Sequence, residues 1–72
     1  MKRYAKTAVQ QNAYYEVGNI YEYMVESYQS NNIKQFEQIY KELNRDAKRD
    51  FIRYCFSEVH PQLLQEIIIK TI

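Results

Sequence analysis

YYEVGNIYEYMVESY, residues 14–28, places five tyrosines in fifteen positions, with Gly18 between the first pair and the remaining three. Whether the chain runs through Gly18 as one helix sets both the number of helices and which tyrosines face inward. On a wheel of about 100° per residue, Val9, Ala13, Val17, Ile20, Met24 and Val25 share a sector of roughly 160°, with Tyr14, Tyr21 and Tyr28 along one side. The stripe crosses Gly18 without a change of phase, which favours a single helix over about 8–29. Thr7 followed by Gln10 has the form of a capping box and supplies its start. Asn19 with Glu22 is a second such signature, so two shorter helices meeting at Gly18 and Asn19 are the alternative.

Downstream, polar residues mark the boundaries. Ser30, Asn31 and Asn32 form a turn, and Asn32 with Gln35 is a cap signature for a helix over about 33–43. Its apolar residues Ile33, Phe36, Ile39, Tyr40 and Leu43 fall within about 120°, while Lys34, Gln35, Glu37, Gln38, Lys41 and Glu42 fill the solvent side. Asn44 caps a third helix, about 45–58, that buries Ala47, Phe51, Ile52, Tyr54 and Cys55. His60 and Pro61 then punctuate, because proline disfavours helical backbone before it yet suits a helix's first position. The last helix, about 61–71, spreads Leu63, Leu64, Ile67, Ile68, Ile69 and Ile72 over roughly 180° or more, wider than one packing face needs. The β-branched run IIIKTI has strand propensity, but no second such run is present to pair with it. The expected fold is all-α, a small bundle of three to four helices in a single domain, with residues 1–6 as a flexible basic arm.

A chain of 72 residues is near the lower limit at which one core outweighs chain entropy, so self-association as a homodimer is expected. With 26% charged and 46% hydrophobic residues and a single Gly and Pro, the composition is that of a folded helical domain, not a linker. A formal net charge of +1 gives no global field, so any grip on nucleic acid has to come from a local patch. Polar faces that are not dominated by Lys and Arg argue against a membrane-surface helix, and no window approaches a membrane span. Cys55 is the only cysteine, which fits a reducing, cytoplasmic setting. Lys, Asn, Ile, Tyr and Phe make up 30 of the 72 residues, a usage that points to A/T-rich coding such as that of a low-GC bacterium, its phages or its plasmids.

Catalysis needs convergent groups with tuned protonation, and one His and one Cys supply few. Cys55 and His60 sit at different depths across a helix end, and nothing in the sequence orients the histidine as a base. A single glycine cannot build a phosphate loop or a dinucleotide fingerprint, and clustered metal ligands are absent. A non-enzyme without cofactor or metal is expected.

Surfaces remain. Tyr15 and Tyr23 project away from the stripe among Asn12, Glu16, Asn19, Glu22 and Glu26, where exposed aromatics favour a protein partner and the glutamates disfavour phosphate. Ile68, Ile69 and Ile72 extend that protein-binding expectation to the last helix. Arg45, Arg49 and Arg53 form a ridge along the third helix with Lys48 nearby, and with Lys2, Arg3 and Lys6 they offer nucleic acid as the alternative partner. Asp46 and Asp50 lie at spacings that would neutralise the ridge as ion pairs. The segment LNRD is short and lacks the glycine usual in a helix-turn-helix.

Overall fold

A computed structural model describes residues 4–71, and among these the chain forms five helices and no strand. They are α1 (Ala8–Tyr15), α2 (Ile20–Gln29), α3 (Ile33–Glu42), α4 (Arg45–Glu58) and α5 (Pro61–Thr71). The all-α expectation holds, and the helix count of three to four is corrected to five.

The single helix over 8–29 is two helices, and the break lies before Gly18. Thr7 caps α1 through the expected box, its hydroxyl accepting from the Gln10 N–H at 3.1 Å while the Gln10 side chain accepts from the Thr7 N–H at 2.9 Å. Nine residues after Thr7, Glu16 turns left-handed, with φ 55° and ψ 48°. The Val17 N–H then donates to the Asn12 carbonyl at 2.9 Å and the Glu16 N–H to the Ala13 carbonyl at 3.3 Å, the paired bonds of a Schellman ending. The Asn12 side chain also accepts from the Ile20 N–H at 2.7 Å, so one residue ties both sides of the corner. Asn19 caps α2, accepting from the Tyr21 and Glu22 N–H groups.

Once the helix breaks, α1 is free to choose its own rotation. Ala8, Gln11, Asn12 and Tyr15, which lie within about 100° on a wheel, turn inward. Val9 and Ala13, expected in the apolar stripe, face solvent, with Val9 75% exposed.

The later boundaries follow the sequence more closely. α2 ends in a second left-handed residue, Asn31 at φ 66°, a conformation Asn tolerates. Asn32 precedes α3 but makes no side-chain capping bond, because its backbone at φ −92°, ψ 64° is not the extended form a cap uses. Asn44 does cap α4, accepting from the Ala47 N–H at 2.7 Å. Pro61 opens α5, and the His60 Nδ1 accepts from the Gln62 N–H at 3.2 Å. Lys6, expected in a flexible arm, is held between two backbone hydrogen bonds of 2.8 Å, donating to Glu42 and accepting from Asn44.

Ile20 and Met24 from α2, Phe36 and Ile39 from α3, Leu43, then Ala47, Phe51 and Cys55 from α4 and Ile67 from α5 make the buried core. Each large apolar side chain wholly removed from water contributes about 1.5–3 kcal/mol. The rings of Phe36 and Phe51 lie 5.9 Å apart at its centre, with Tyr28 against the former and Tyr21 and Tyr40 against the latter.

Candidate functional site

Gln11 and Glu42 are the most deeply buried polar side chains, 0% and 3% exposed. The Glu42 carboxylate accepts from the Gln11 amide at 3.0 Å, the Tyr15 hydroxyl at 2.8 Å and the Gln38 amide at 2.7 Å. Gln11 also donates to the Ile39 carbonyl at 3.4 Å. These bonds dock the short, weakly apolar α1 onto α3, which is why Glu42 leaves the solvent side expected of it. The cluster positions elements.

The tyrosines trade places relative to expectation. Tyr15, expected exposed, is half-buried, spends its hydroxyl on Glu42 and packs edge-on to Tyr14 at 4.9 Å. Tyr23, also half-buried, lies 6.1 Å from the Tyr15 ring. Tyr14, expected at the core edge, is 57% exposed. The shift of helix phase at Glu16 accounts for the exchange. Tyr21 and Tyr28 do line the core, as their spacing indicated.

The outer face of α4 is where unpartnered groups collect. Arg45, Arg49 and Arg53 are all exposed, and among the described residues none is joined to a carboxylate within 4.0 Å, so the expected pairs with Asp46 and Asp50 do not form. Phe56 is 66% exposed and falls in the same sector of about 80° as the three arginines. Sequence reasoning passed over Phe56. The signal was present, since it stands seven residues after Arg49 and three after Arg53, spacings that share one helix face. Lys48 turns toward α3, its ammonium 5.3 Å from the centre of the Tyr40 ring. Lys6 reaches the start of this ridge through its backbone pairing beside Leu43, whereas Lys2, Arg3 and Ile72 lie outside the described residues. Ile68 is half-buried and Ile69 is 68% exposed.

On the other side of α4 runs a groove of about 340 Å³. Val25, Val59 and Leu63 supply its apolar lining, and Glu22, Glu26 and Glu58 rim it with carboxylates. Burial first, and then the nearby Glu22, Glu58 and Glu26, raise the pKa of the Tyr54 hydroxyl on its wall. None of those three glutamates makes an ion pair among the described residues.

Cys55 is fully buried, and that burial pushes its thiol up to about 11, whereas His60 is exposed. Among the described residues no group of three His, Cys, Asp or Glu is placed to hold a metal ion, and no helix is long and apolar enough to cross a membrane. No protein-family model, curated protein or solved structure shows a significant match to this chain.

Proposed function

We propose that this protein is a small, non-enzymatic interaction module of the cell interior that binds another protein through the outer face of α4 and also self-associates. The observation that carries the reading is Phe56, two-thirds exposed on a rigid helix and flanked by Arg49 and Arg53. Aromatic and arginine side chains dominate the energetic centres of protein interfaces, and a lone exposed phenyl ring gains from being covered. Tyr15 and Tyr23 support the fold more than the surface, so binding rests less on them than on Phe56, with Ile69 as a second exposed apolar group. Affinity capture with wild-type chain and with Phe56→Ala is the test. A genuine partner loses roughly thirtyfold in affinity, the ~2 kcal/mol of an interface hot spot. Capture indifferent to Phe56→Ala and to Arg49→Ala removes this surface from consideration.

A second reading has its own observation. The three guanidiniums of the ridge have no carboxylate partner among the described residues, and backbone pairing with Glu42 and Asn44 holds the Lys6 backbone next to the ridge's amino-terminal end. That array suits the phosphates of a nucleic acid. It requires a mobility shift at low salt that weakens steeply as salt rises and disappears with Arg49→Glu. A duplex and a single strand that both migrate unshifted at low salt dispose of it.

A further inference from the structure

We infer that copies of this chain associate head to tail, the Phe56 face of one copy seating in the carboxylate-rimmed groove of the next. The inference rests on reading the Phe56 face as a protein-binding surface, and it names a second copy as an occupant of that face.

Three observations converge on this pairing. First, one surface carries three arginines and the other three glutamates, and among the described residues neither set is ion-paired within its own chain. Arg45, Arg49 and Arg53 lack carboxylate partners among the described residues, and Glu22, Glu26 and Glu58 lack cationic ones. Second, the groove has room for the ring. Phe56 offers one exposed ring, and the open groove, in which Val25, Val59 and Leu63 stand beside Gln29, Tyr54 and His60, has a volume of about 340 Å³. An apolar cavity of about 150 Å³ already suffices to hold benzene, so a phenyl ring fits with room for its flanking stems. Third, the ring and the groove lie on opposite sides of α4. Phe56 is roughly 160° from Tyr54 and from Glu58 on the wheel, so the ring cannot fill its own groove.

That third observation also fixes the kind of assembly. A twofold dimer needs both surfaces on one face, so that each copy gives and receives at a single interface. With ring and groove back to back, one contact leaves a ring free at one end and a groove free at the other. The interface is therefore heterologous, and association runs past two copies into a closed ring or an open chain. Its rim charges are surface charges, so salt weakens it: the screening length falls from about 30 Å at 0.01 M to about 3 Å at 1 M.

Sedimentation velocity on the wild-type chain and two variants tests this. Phe56→Asp removes the ring and keeps the groove; the double change Glu22→Lys, Glu26→Lys reverses the groove and keeps the ring. Circular dichroism confirms that each remains helical. In low salt the wild-type mass should rise past twice that of one chain as concentration increases, and fall back in high salt. Each variant alone should stay a single chain. Mixed in equal amounts, they should double in mass and stop, because the one remaining ring meets the one remaining groove. A wild-type chain that stays monomeric, one that stops at a dimer, or a mixture that does not gain mass overturns the inference. If Phe56→Ala still abolishes capture of a different protein in that event, the reading of the α4 face as a protein-binding surface survives without self-association; if it does not, both fall.

Discussion

Glu16 holds a left-handed backbone, φ 55° and ψ 48°, where a side chain with a Cβ is penalised by about 1–2 kcal/mol. The Schellman ending of α1 demands that conformation from whichever residue occupies the position. Glycine, the residue best suited to it, stands two positions later at Gly18, where φ is not positive and where a Cβ would meet nothing within 4 Å. Glu16→Gly should therefore stabilise the fold by about 0.5–1 kcal/mol, after allowing for the greater freedom of glycine in the unfolded chain. Urea denaturation reads this as a raised midpoint with an unchanged slope. Gly18→Ala should be close to neutral or mildly stabilising for the same reason. The sequence offered Gly18 with Asn19 as the alternative place for a break, and the left-handed turn falls at Glu16 instead. The turn is set by hydrogen bonds from Glu16 and Val17 back into α1, and those bonds do not consult side-chain preference.

At the scale of elements, the corner between α1 and α2 hangs on Asn12. Its carbonyl takes the Val17 N–H and its side chain takes the Ile20 N–H, a partly buried donor. Asn12→Ala should cost about 1–2 kcal/mol, because the Ile20 N–H loses its partner in a place water reaches poorly. Asn12→Asp, which keeps an acceptor at the same atom, should lose much less. Thermal denaturation of the pair separates loss of the bond from mere loss of bulk. The remaining boundaries were legible because their signals are local. Thr7 with Gln10, Asn44 and Pro61 each act within one turn of themselves and stand at the expected helix starts, and Asn19 caps the start offered in the sequence only as the alternative. The cap at Asn32 was misjudged because it depends on a backbone angle that the preceding left-handed Asn31 controls.

Across the whole molecule, four groups buried or crowded around the core hold their protons more tightly than in the unfolded chain. Burial lifts the Cys55 thiol to about 11, from an ordinary value of 9.0. Burial followed by Asp50 raises Tyr21, burial followed by Glu66 raises Tyr28, and burial followed by Glu22 and other acids raises Tyr54. In the alkaline range the unfolded chain binds fewer protons than the native one, so stability falls as pH rises. It should change little between pH 8 and about 9, decline from there toward pH 11 as an unfolded thiolate forms, and decline further above about pH 10 through the tyrosines. Urea midpoints measured from pH 8 to 11 check this. Cys55→Ala should be less stable throughout from its lost packing, yet its curve should stay level further up the pH scale.

The sequence by itself determined that the chain is helical, that α2, α3 and α4 turn Met24, Phe36, Ile39, Phe51 and Cys55 toward one another, and where most helices begin. Those properties follow from apolar periodicity and from caps, both of which operate within a few residues. Only the tertiary structure decided how α1 is rotated, that Glu42 and Gln11 are buried together, and that Tyr15 turns in while Tyr14 turns out. A helix as short and weakly apolar as α1 has little preference of its own for a buried face. Its orientation came from a carboxylate contributed more than thirty positions later, and no local pattern carries information across that distance.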